Sequence, residues 1–218
     1  MTLKAIIFDA YGTLLNVHGA MAQHASLLPP DWERISDEWR TKQLEYSWVH
    51  TLSGRTGADF WQVTQAALAF VAARHRITKQ AVLQALLDAY LTLPCYDDAA
   101  STLLDVRARG LGTAILSNGT PAMLASAVAS AEIGPLLDAV LSVQDLGVFK
   151  PDPRAYSLAT QFYDCPAHEL GFVSSNAWDA QAAGAAGMRV FWCNRSGAPA
   201  EYGLTQALTR LADLPALL

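Results

Sequence analysis

A carboxylate stands at the end of an apolar run near the start of the chain. Asp9 directly follows Ala5–Phe8 and opens a turn that contains Gly12. An apolar run that ends in a carboxylate and a glycine turn predicts a buried parallel strand. Open α/β sheets bind their ligands just outside the carboxyl ends of such strands, so Asp9 is placed to act as a nucleophile.

Polar and charged residues follow three further apolar runs, at 113–116, 139–141 and 171–173. In chain order they are Ser117 and Asn118, then Lys150 across a short loop, and finally Ser174, Asn176 and Asp179. Any one of them alone would be explained as a helix cap or a surface residue. Because the carboxyl ends of parallel strands meet at one edge of a sheet, the ordered set predicts a functional site there.

The elements that must position these groups are short strands that alternate with helical stretches. A fifth apolar run, Arg189–Cys193, completes the set of strand candidates. Thr120 and Asp152 each precede a proline, which is typical of a helix start, and Gly187 predicts a helix end. The alternation predicts an α/β fold with a Rossmann-like parallel sheet and helices on both faces.

The stretch 17–94 interrupts this alternation, because it contains no convincing strand. Its helices are expected at roughly 30–48, 58–74 and 78–91. We interpret it as a helical cap subdomain inserted into a core domain formed by residues 1–16 and 95–218. The segments 15–17 and 93–95 are the expected hinges.

The composition restricts the class of protein. Of the 218 residues, 52% are hydrophobic and 16% are charged, which supports a well-buried core. A net charge of −5 argues against a nucleic-acid partner, and no apolar stretch approaches the length of a membrane span. No signal-peptide pattern opens the chain, and its three cysteines lie far apart, so we expect reduced structural thiols in a cytoplasmic protein.

The ordered motifs resemble those of the haloacid dehalogenase superfamily over the whole chain. The residues that carry the resemblance are Asp9 and Thr13, Ser117-Asn118, Lys150-Pro151 and Asp179. Two departures separate the chain from the superfamily's phosphatases. Tyr11 stands where they carry a second aspartate as general acid, and residues 174–179 offer one carboxylate, whereas magnesium favours several hard oxygen ligands.

The same departures match one branch, the metal-free L-2-haloacid dehalogenases. The matching positions are residues 9–14, Trp39-Arg40, residues 42–46, residues 117–119, Lys150-Pro151, Tyr156 and residues 174–179. The resemblance implies hydrolysis of short-chain (S)-2-haloalkanoic acids to (R)-2-hydroxyalkanoic acids and halide, through an ester on Asp9. It also implies no cofactor, no metal, a small halogenated acid as substrate, and a homodimer.

Four of these residues have expected roles around the nucleophile. Asp9 would attack the halogen-bearing carbon in line and form the ester. Lys150 would keep Asp9 ionised, because a nearby cation lowers the pKa of a carboxylate. Thr13 would steady Asp9, and Tyr156 would orient Lys150 or the nucleophile.

Two further tasks are the activation of water and the stabilisation of the departing halide. Asp179, assisted by Asn176 and Lys150, is the expected base that activates water for ester hydrolysis. Arg40 lies on an expected cap helix, and the resemblance favours its guanidinium, with help from Asn118, as the group that receives the halide.

The remaining candidates would contact the substrate. The expected ligands of its carboxylate are Ser117, Asn118 and Ser174. The expected apolar walls around its alkyl group are Tyr11, Leu44 and Trp178. Phe60 could join them, although simple packing of the cap explains this residue better.

Two other functions compete with dehalogenation. A magnesium-dependent phosphatase of the same superfamily would need a replacement for the acid that Tyr11 displaces. A non-enzymatic phospho-accepting domain also uses a strand-end aspartate, a hydroxyl residue and a lysine. Such a domain lacks a cap of this size, however, and needs an early acidic pair for its metal.

Overall fold

Six strands form one sheet in the computed structural model, which describes residues 2–54, 57–204 and 207–218. The strands are β1 (Ala5–Phe8), β2 (Gly112–Ser117), β3 (Ala139–Ser142), β4 (Leu170–Ser174), β5 (Arg189–Cys193) and β6 (Ala207–Leu208). In space they follow the order β3-β2-β1-β4-β5-β6, and every pairing is parallel. This is the doubly wound order of Rossmann-like folds, so the predicted fold class is confirmed.

Eight helices accompany the strands in the described part of the chain. They are α1 (Gly19–Gln23), α2 (Trp32–Leu52), α3 (Phe60–Arg74), α4 (Gln80–Tyr90), α5 (Ala99–Ala108), α6 (Pro121–Ser130), α7 (Pro153–Tyr163) and α8 (Ala177–Ala185). The predicted helix starts are confirmed, since the side chain of Thr120 caps α6 and that of Asp152 caps α7. Gly187 follows the end of α8 with a φ of 93°, a conformation that favours glycine.

The centre of the sheet is buried on both faces. All four residues of β1 are fully buried, as the run of apolar side chains predicts for a central parallel strand. Gly171 on β4 pairs with Ile6 on β1 and leaves room for its side chain, since a Cβ at position 171 would lie 2.5 Å from Ile6 Cδ1. The two strands that border the site are thus packed tightly side by side.

The helices of the segment 17–94 match the expected ones with two differences. Helix α2 continues four residues beyond the expected end, where Thr51 Oγ1 accepts a hydrogen bond from the Phe149 backbone at 2.9 Å. The short helix α1 was not predicted; Gly19 begins it against Pro94, to which an added Cβ would come within 2.7 Å. Both differences depend on contacts with distant parts of the chain.

The two segments predicted as hinges run beside each other. Leu15 and Cys95 form an isolated antiparallel bridge, and the Asn16 backbone N–H donates to the Pro94 carbonyl at 2.8 Å. The chain therefore leaves the sheet and returns to it at one place. The division into core and cap remains a prediction.

Two further observations bear on the class of protein. Across residues 2–54, 57–204 and 207–218, no helix has the length and apolar character needed to cross a membrane. Cys95, Cys165 and Cys193 are free thiols. Burial raises the pKa of Cys95 and of Cys193 to about 11, which keeps both thiols protonated and unreactive.

Candidate active site

The site lies where the order of the strands reverses. Strands β1 and β4 are neighbours, and Phe8 pairs with Val173, so Asp9 emerges beside Ser174. The Asp9 backbone N–H donates to the Val173 carbonyl at 2.9 Å and continues the sheet for one more residue. Such a switch point opens a crevice at the carboxyl ends of the strands, which is where doubly wound folds bind ligands.

Four side chains donate hydrogen bonds to the carboxylate of Asp9, which is 6% exposed. Oδ2 accepts from Thr13 Oγ1 at 3.1 Å, from Asn176 Nδ2 at 2.9 Å and from Ser174 Oγ at 3.4 Å. Oδ1 accepts from Lys150 Nζ at 3.2 Å. Donors on both carboxyl oxygens fix the direction in which the Asp9 carboxyl group points.

The loop after Asp9 is fastened by Ser175, a residue to which the sequence assigned no role. Ser175 Oγ donates to the Gly12 carbonyl at 2.6 Å, and the Ser175 backbone N–H donates to Thr13 Oγ1 at 2.9 Å. Gly12 has a φ of 95°, which a side chain would disfavour. Ser175 thus fixes the hydroxyl that contacts the nucleophile. The sequence signal that could have identified Ser175 is its position between two predicted site residues, Ser174 and Asn176.

Lys150 lies between two carboxylates and is 1% exposed. Its Nζ donates to Asp9 Oδ1 at 3.2 Å and to Asp179 Oδ2 at 2.9 Å. Burial lowers the pKa of Lys150, but the charges of Asp179 and Asp9 outweigh it and raise that pKa above its ordinary value. The ammonium group is therefore a permanent cation in the site and not a solvated surface charge.

Asp179 is fully buried on the first turn of α8. Burial raises the pKa of this carboxyl and the neighbouring Asp9 raises it further, while Lys150 and Tyr156 act in the opposite direction. A carboxylate with a raised pKa is a stronger base than an exposed aspartate, which suits proton abstraction from water.

Tyr156 contacts a different group from the ones expected. We predicted that it orients Lys150 or the nucleophile. Its hydroxyl instead donates to Asp179 Oδ1 at 2.6 Å, so that Asp179 is held from one side by Tyr156 and from the other by Lys150. Tyr156 lies on α7 and is 1% exposed. The Tyr156 hydroxyl therefore orients Asp179, the candidate base, directly. It orients Lys150 indirectly, because Lys150 contacts Asp179.

The three residues expected to bind a substrate carboxylate are buried at the same sheet edge. Ser117 Oγ accepts from the Gly119 backbone at 3.1 Å, and Asn118 Oδ1 accepts from the Lys150 backbone at 2.8 Å. Ser174 Oγ accepts from the Asn176 backbone at 3.1 Å. In Ser117 and Asn118 these bonds use acceptor atoms and leave the O–H and N–H donors for an anionic ligand.

Arg40 reaches from α2 to the loop that follows Asp9. Its Nη2 donates to the Tyr11 carbonyl at 3.0 Å and its Nη1 to Gln43 Oε1 at 2.6 Å. Gln43, which had no predicted role, is 1% exposed and donates in turn to Thr64 Oγ1 at 2.6 Å and to Tyr90 at 3.0 Å. The helical segment therefore holds the Arg40 guanidinium in a fixed position beside the loop that follows Asp9.

Two of the three predicted apolar walls, Tyr11 and Trp178, lie in separate aromatic clusters. The ring of Tyr11 is stacked on Tyr90 at 5.6 Å and tilted against Phe60 at 6.1 Å. Trp178 packs edge-on against Trp48 at 5.4 Å. This second pair lines an open groove of about 570 Å³ that also contacts Pro151, next to Lys150.

Leu44 is half-buried on α2, one turn after Arg40, and its carbonyl accepts from Ser47 Oγ at 2.7 Å. Phe60 is 2% exposed and packs against both Tyr11 and Phe149, at 6.1 and 5.8 Å. The packing explanation for Phe60 therefore agrees with its contacts. The contacts of Leu44 leave its role as a wall a prediction.

The charged groups of the site are two carboxylates and one ammonium group. In the described ranges no group of three or more His, Cys, Asp or Glu side chains could hold an ion. The Lys150 ammonium lies between Asp9 and Asp179, at 3.2 and 2.9 Å from their oxygens. This arrangement is suited to covalent catalysis. Asp9 can form a covalent intermediate, Asp179 can act as the base that hydrolyses it, and Lys150 is a fixed cation between them.

Comparison with known proteins relates this arrangement to one family. The model of the haloacid dehalogenase-like hydrolases matches residues 3–187. (S)-2-Haloacid dehalogenase 1 of Pseudomonas sp. (strain CBS-3) is 44% identical over 99% of this chain and 96% of its own length.

Solved structures agree with this match. A crystal structure of a dehalogenase with an intermediate complex has a TM-score of 0.96 and 41% identity, and covers 100% of this chain and 97% of its own. The L-2-haloacid dehalogenase from Xanthobacter autotrophicus with chloropropionic acid covalently bound has a TM-score of 0.87 and 36% identity over 99% of this chain and 98% of its own.

Proposed function

Since the chain belongs to the haloacid dehalogenase-like hydrolases and, among them, to the (S)-2-haloacid dehalogenases, we propose that it converts short-chain (S)-2-haloalkanoic acids to (R)-2-hydroxyalkanoic acids and halide. The observation that carries the proposal is a pair of buried salt bridges at the strand switch point, in which Lys150 contacts both Asp9 and Asp179. It combines the nucleophile, the cation that contacts the nucleophile, and the base.

In the first step Asp9 attacks C2 of the substrate from the side opposite the halogen. The new bond joins an Asp9 oxygen to C2, and the C2–halogen bond breaks with its electron pair leaving on the halide. Thr13, Asn176 and Lys150 fix the direction of the carboxylate, which supplies the alignment that in-line displacement needs. The step inverts C2 and leaves an ester on Asp9.

The substrate itself is an anion and needs its own ligands. Ser117, Asn118 and Ser174 lie at the same sheet edge as Asp9, and we assign the substrate carboxylate to them. Arg40, fixed beside the Tyr11 carbonyl, is the cation assigned to the departing halide. Tyr11, Leu44 and Trp178 are assigned to the walls around the alkyl group.

In the second step water hydrolyses the ester. Asp179 accepts a proton as the water oxygen attacks the carboxyl carbon of Asp9. The bond from that carbon to the ester oxygen then breaks, and the departing alkoxide takes the proton back from Asp179 and becomes the product hydroxyl. The second water proton leaves to solvent as Asp9 returns to the carboxylate. Asn176 and Lys150 face the same carboxyl group. The bond between the ester oxygen and C2 stays intact, so the product keeps the inverted configuration of the first step.

The phosphatase alternative is not favoured. Tyr11 occupies the position of the phosphatases' general acid, and burial raises the pKa of its phenol far above the neutral range. The relatives named above are dehalogenases. A phospho-accepting domain is disfavoured by the same relatives.

The proposal is tested by halide release from (S)-2-chloropropionate with EDTA present, beside phosphate release from p-nitrophenyl phosphate with magnesium. We expect halide release that survives EDTA and disappears in Asp9→Asn, because the amide is a poor nucleophile. Phosphate release that requires magnesium, without halide release, would contradict the proposal.

Three further features belong to the proposal. The helical segment 17–94 is the cap over a core of residues 1–16 and 95–218. The protein acts as a homodimer in the cytoplasm, which the family resemblance and the free thiols support. Light scattering during gel filtration tests the dimer, and a monomer at micromolar concentration would contradict it.

A further inference from the structure

The hydroxyl group of Tyr11 is buried without a hydrogen-bond partner in the part of the chain that the structure describes. Tyr11 is 2% exposed and follows the nucleophile Asp9 by two residues. Folding removes this hydroxyl from water, and no hydrogen bond to any of the described residues offsets the loss. Because the large majority of buried polar groups are paired, an unpaired one at a site calls for a ligand.

The ring that carries this hydroxyl cannot swing away from the site. It is stacked on Tyr90 with ring centres 5.6 Å apart and planes 15° apart, and it is tilted against Phe60. On its edge, Gly119 approaches so closely that an added Cβ would lie 2.8 Å from Tyr11 Cε2. The hydroxyl is therefore held in a fixed position by three neighbours.

The charges around the hydroxyl identify it as a donor. Burial raises the pKa of Tyr11 far above the neutral range, Tyr90 and Asp9 raise it further, and Arg40 acts against them. The phenol consequently keeps its proton at every working pH. It also lies within electrostatic reach of both the nucleophile and the cap arginine, and Arg40 Nη2 donates to the carbonyl of Tyr11 itself at 3.0 Å.

Two anionic acceptors are available in the proposed reaction, the substrate carboxylate and the leaving halide. A carboxylate offers about four lone-pair sites and needs several donors. The end of β2 supplies such donors through Ser117 and Asn118, whose hydrogen bonds in the protein use only their acceptor atoms. The ring that carries the Tyr11 hydroxyl is packed against two aromatic rings, and the Arg40 cation lies within electrostatic reach, which suits a weakly hydrated monatomic anion.

We infer that the Tyr11 hydroxyl donates a hydrogen bond to the halide as the bond between carbon and halogen breaks, beside the guanidinium of Arg40. This inference rests on the proposed function. The phenol keeps its proton throughout, since the electron pair of the broken bond leaves on the halide and no proton is transferred. Tyr11 is then a catalytic residue and more than an apolar wall.

The test is Tyr11→Phe, assayed with (S)-2-chloropropionate and (S)-2-bromopropionate. A lost bond to a charged acceptor predicts that kcat/KM with the chloro acid falls roughly ten- to hundredfold. The fall should be smaller with the bromo acid, because bromide is the better leaving group and needs less stabilisation. Inhibition by added bromide should weaken in the same variant.

The melting temperature separates this role from a structural one. Tyr11→Phe removes an unpaired buried hydroxyl and should raise the melting temperature. The matched control is Tyr90→Phe, in the stacked neighbouring ring, whose hydroxyl is hydrogen-bonded to Gln43 and whose loss should lower the melting temperature.

Equal losses with the two acids and unchanged bromide inhibition would assign the hydroxyl to the carboxylate and overturn the inference. Unchanged kinetics in Tyr11→Phe would overturn it as well. In both cases the wild-type enzyme would still release halide, so the proposed function would stand. A wild type that releases no halide would overturn the proposed function first.

Discussion

At the scale of single residues, the site is organised around a charge imbalance. Asp9 and Asp179 share one cation, Lys150, in a buried cluster, so one negative charge is uncompensated when both carboxylates are ionised. A buried charge without a partner is costly, and hydrogen bonds reduce that cost. Asn176 serves Asp9 in this way and Tyr156 serves Asp179.

This arrangement predicts how the activity depends on pH. Hydrolysis of the ester needs ionised Asp179, and burial raises the pKa of that carboxyl. The rate should therefore fall on the acid side at a pH above the ordinary titration range of an aspartate. Tyr156 donates to the ionised form and lowers that pKa, so Tyr156→Phe should move the acid limb of kcat to higher pH.

The matched control for this variant is Tyr163→Phe. The Tyr163 hydroxyl also donates to an aspartate, Asp138, at 3.1 Å, but that pair lies outside the site. The control should keep the acid limb of the wild type. An acid limb in Tyr156→Phe that stays in place or moves to lower pH would show that Asp179 is not the base. The measurement is the pH profile of single-turnover ester hydrolysis for the three proteins.

At the scale of elements, the site depends on close approach between the loop after β2 and the loop after β1. Gly119 follows the candidate ligands Ser117 and Asn118 and allows the Tyr11 ring to pack against the backbone. A Cβ at position 119 would lie 2.8 Å from Tyr11 Cε2 and 3.1 Å from Leu124. Tyr11 cannot retreat freely, because Tyr90 is stacked behind it.

We therefore predict that Gly119→Ala lowers the free energy of unfolding by about 1–3 kcal/mol, the usual cost of overpacking. It should also reduce kcat/KM, because the displaced ring disturbs the site. Urea unfolding and halide release measure the two effects. Gly134→Ala is the control, since its nearest neighbour would be Val128 at 3.5 Å, an ordinary contact. Equal stability of the two variants would contradict the packing argument.

The elements were predictable where their signals are local. The apolar run of β1, the proline caps of α6 and α7, and the glycine after α8 each carry their information within a few residues. The end of α2 does not, since the hydrogen bond from Phe149 to Thr51 joins positions 98 residues apart in sequence. The hydrophobic periodicity of a sequence does not indicate such a long-range contact.

The same distinction applies to the site. Asp9, Lys150 and Asp179 could be expected to meet because parallel strand ends share one edge of a sheet. The partner of Tyr156 could not be predicted, because it depends on how α7 and α8 are rotated against each other. The roles of Gln43 and Ser175 have no sequence signal of their own, since a polar residue that binds another side chain has the same sequence signature as an ordinary cap or surface group.

At the scale of the whole molecule, the loop after β1 supplies the nucleophile, helix α8 supplies the base, and the helical segment 17–94 supplies Arg40. Arg40 is fixed to the Tyr11 carbonyl in the loop after β1, and the last turn of α2 bonds to the loop before Lys150. The site is thus assembled from the helical segment and the rest of the chain. Its chemistry nevertheless depends on one event, the formation of the ester on Asp9.

The most direct test of this account is a single turnover in water labelled with oxygen-18, with enzyme in excess over (S)-2-chloropropionate. Water should attack the carboxyl carbon of Asp9, so the heavy isotope should appear in the peptide that contains Asp9. The first product should carry an unlabelled oxygen. A labelled first product with unlabelled Asp9 would mean that water attacks the substrate directly, and would contradict covalent catalysis by Asp9.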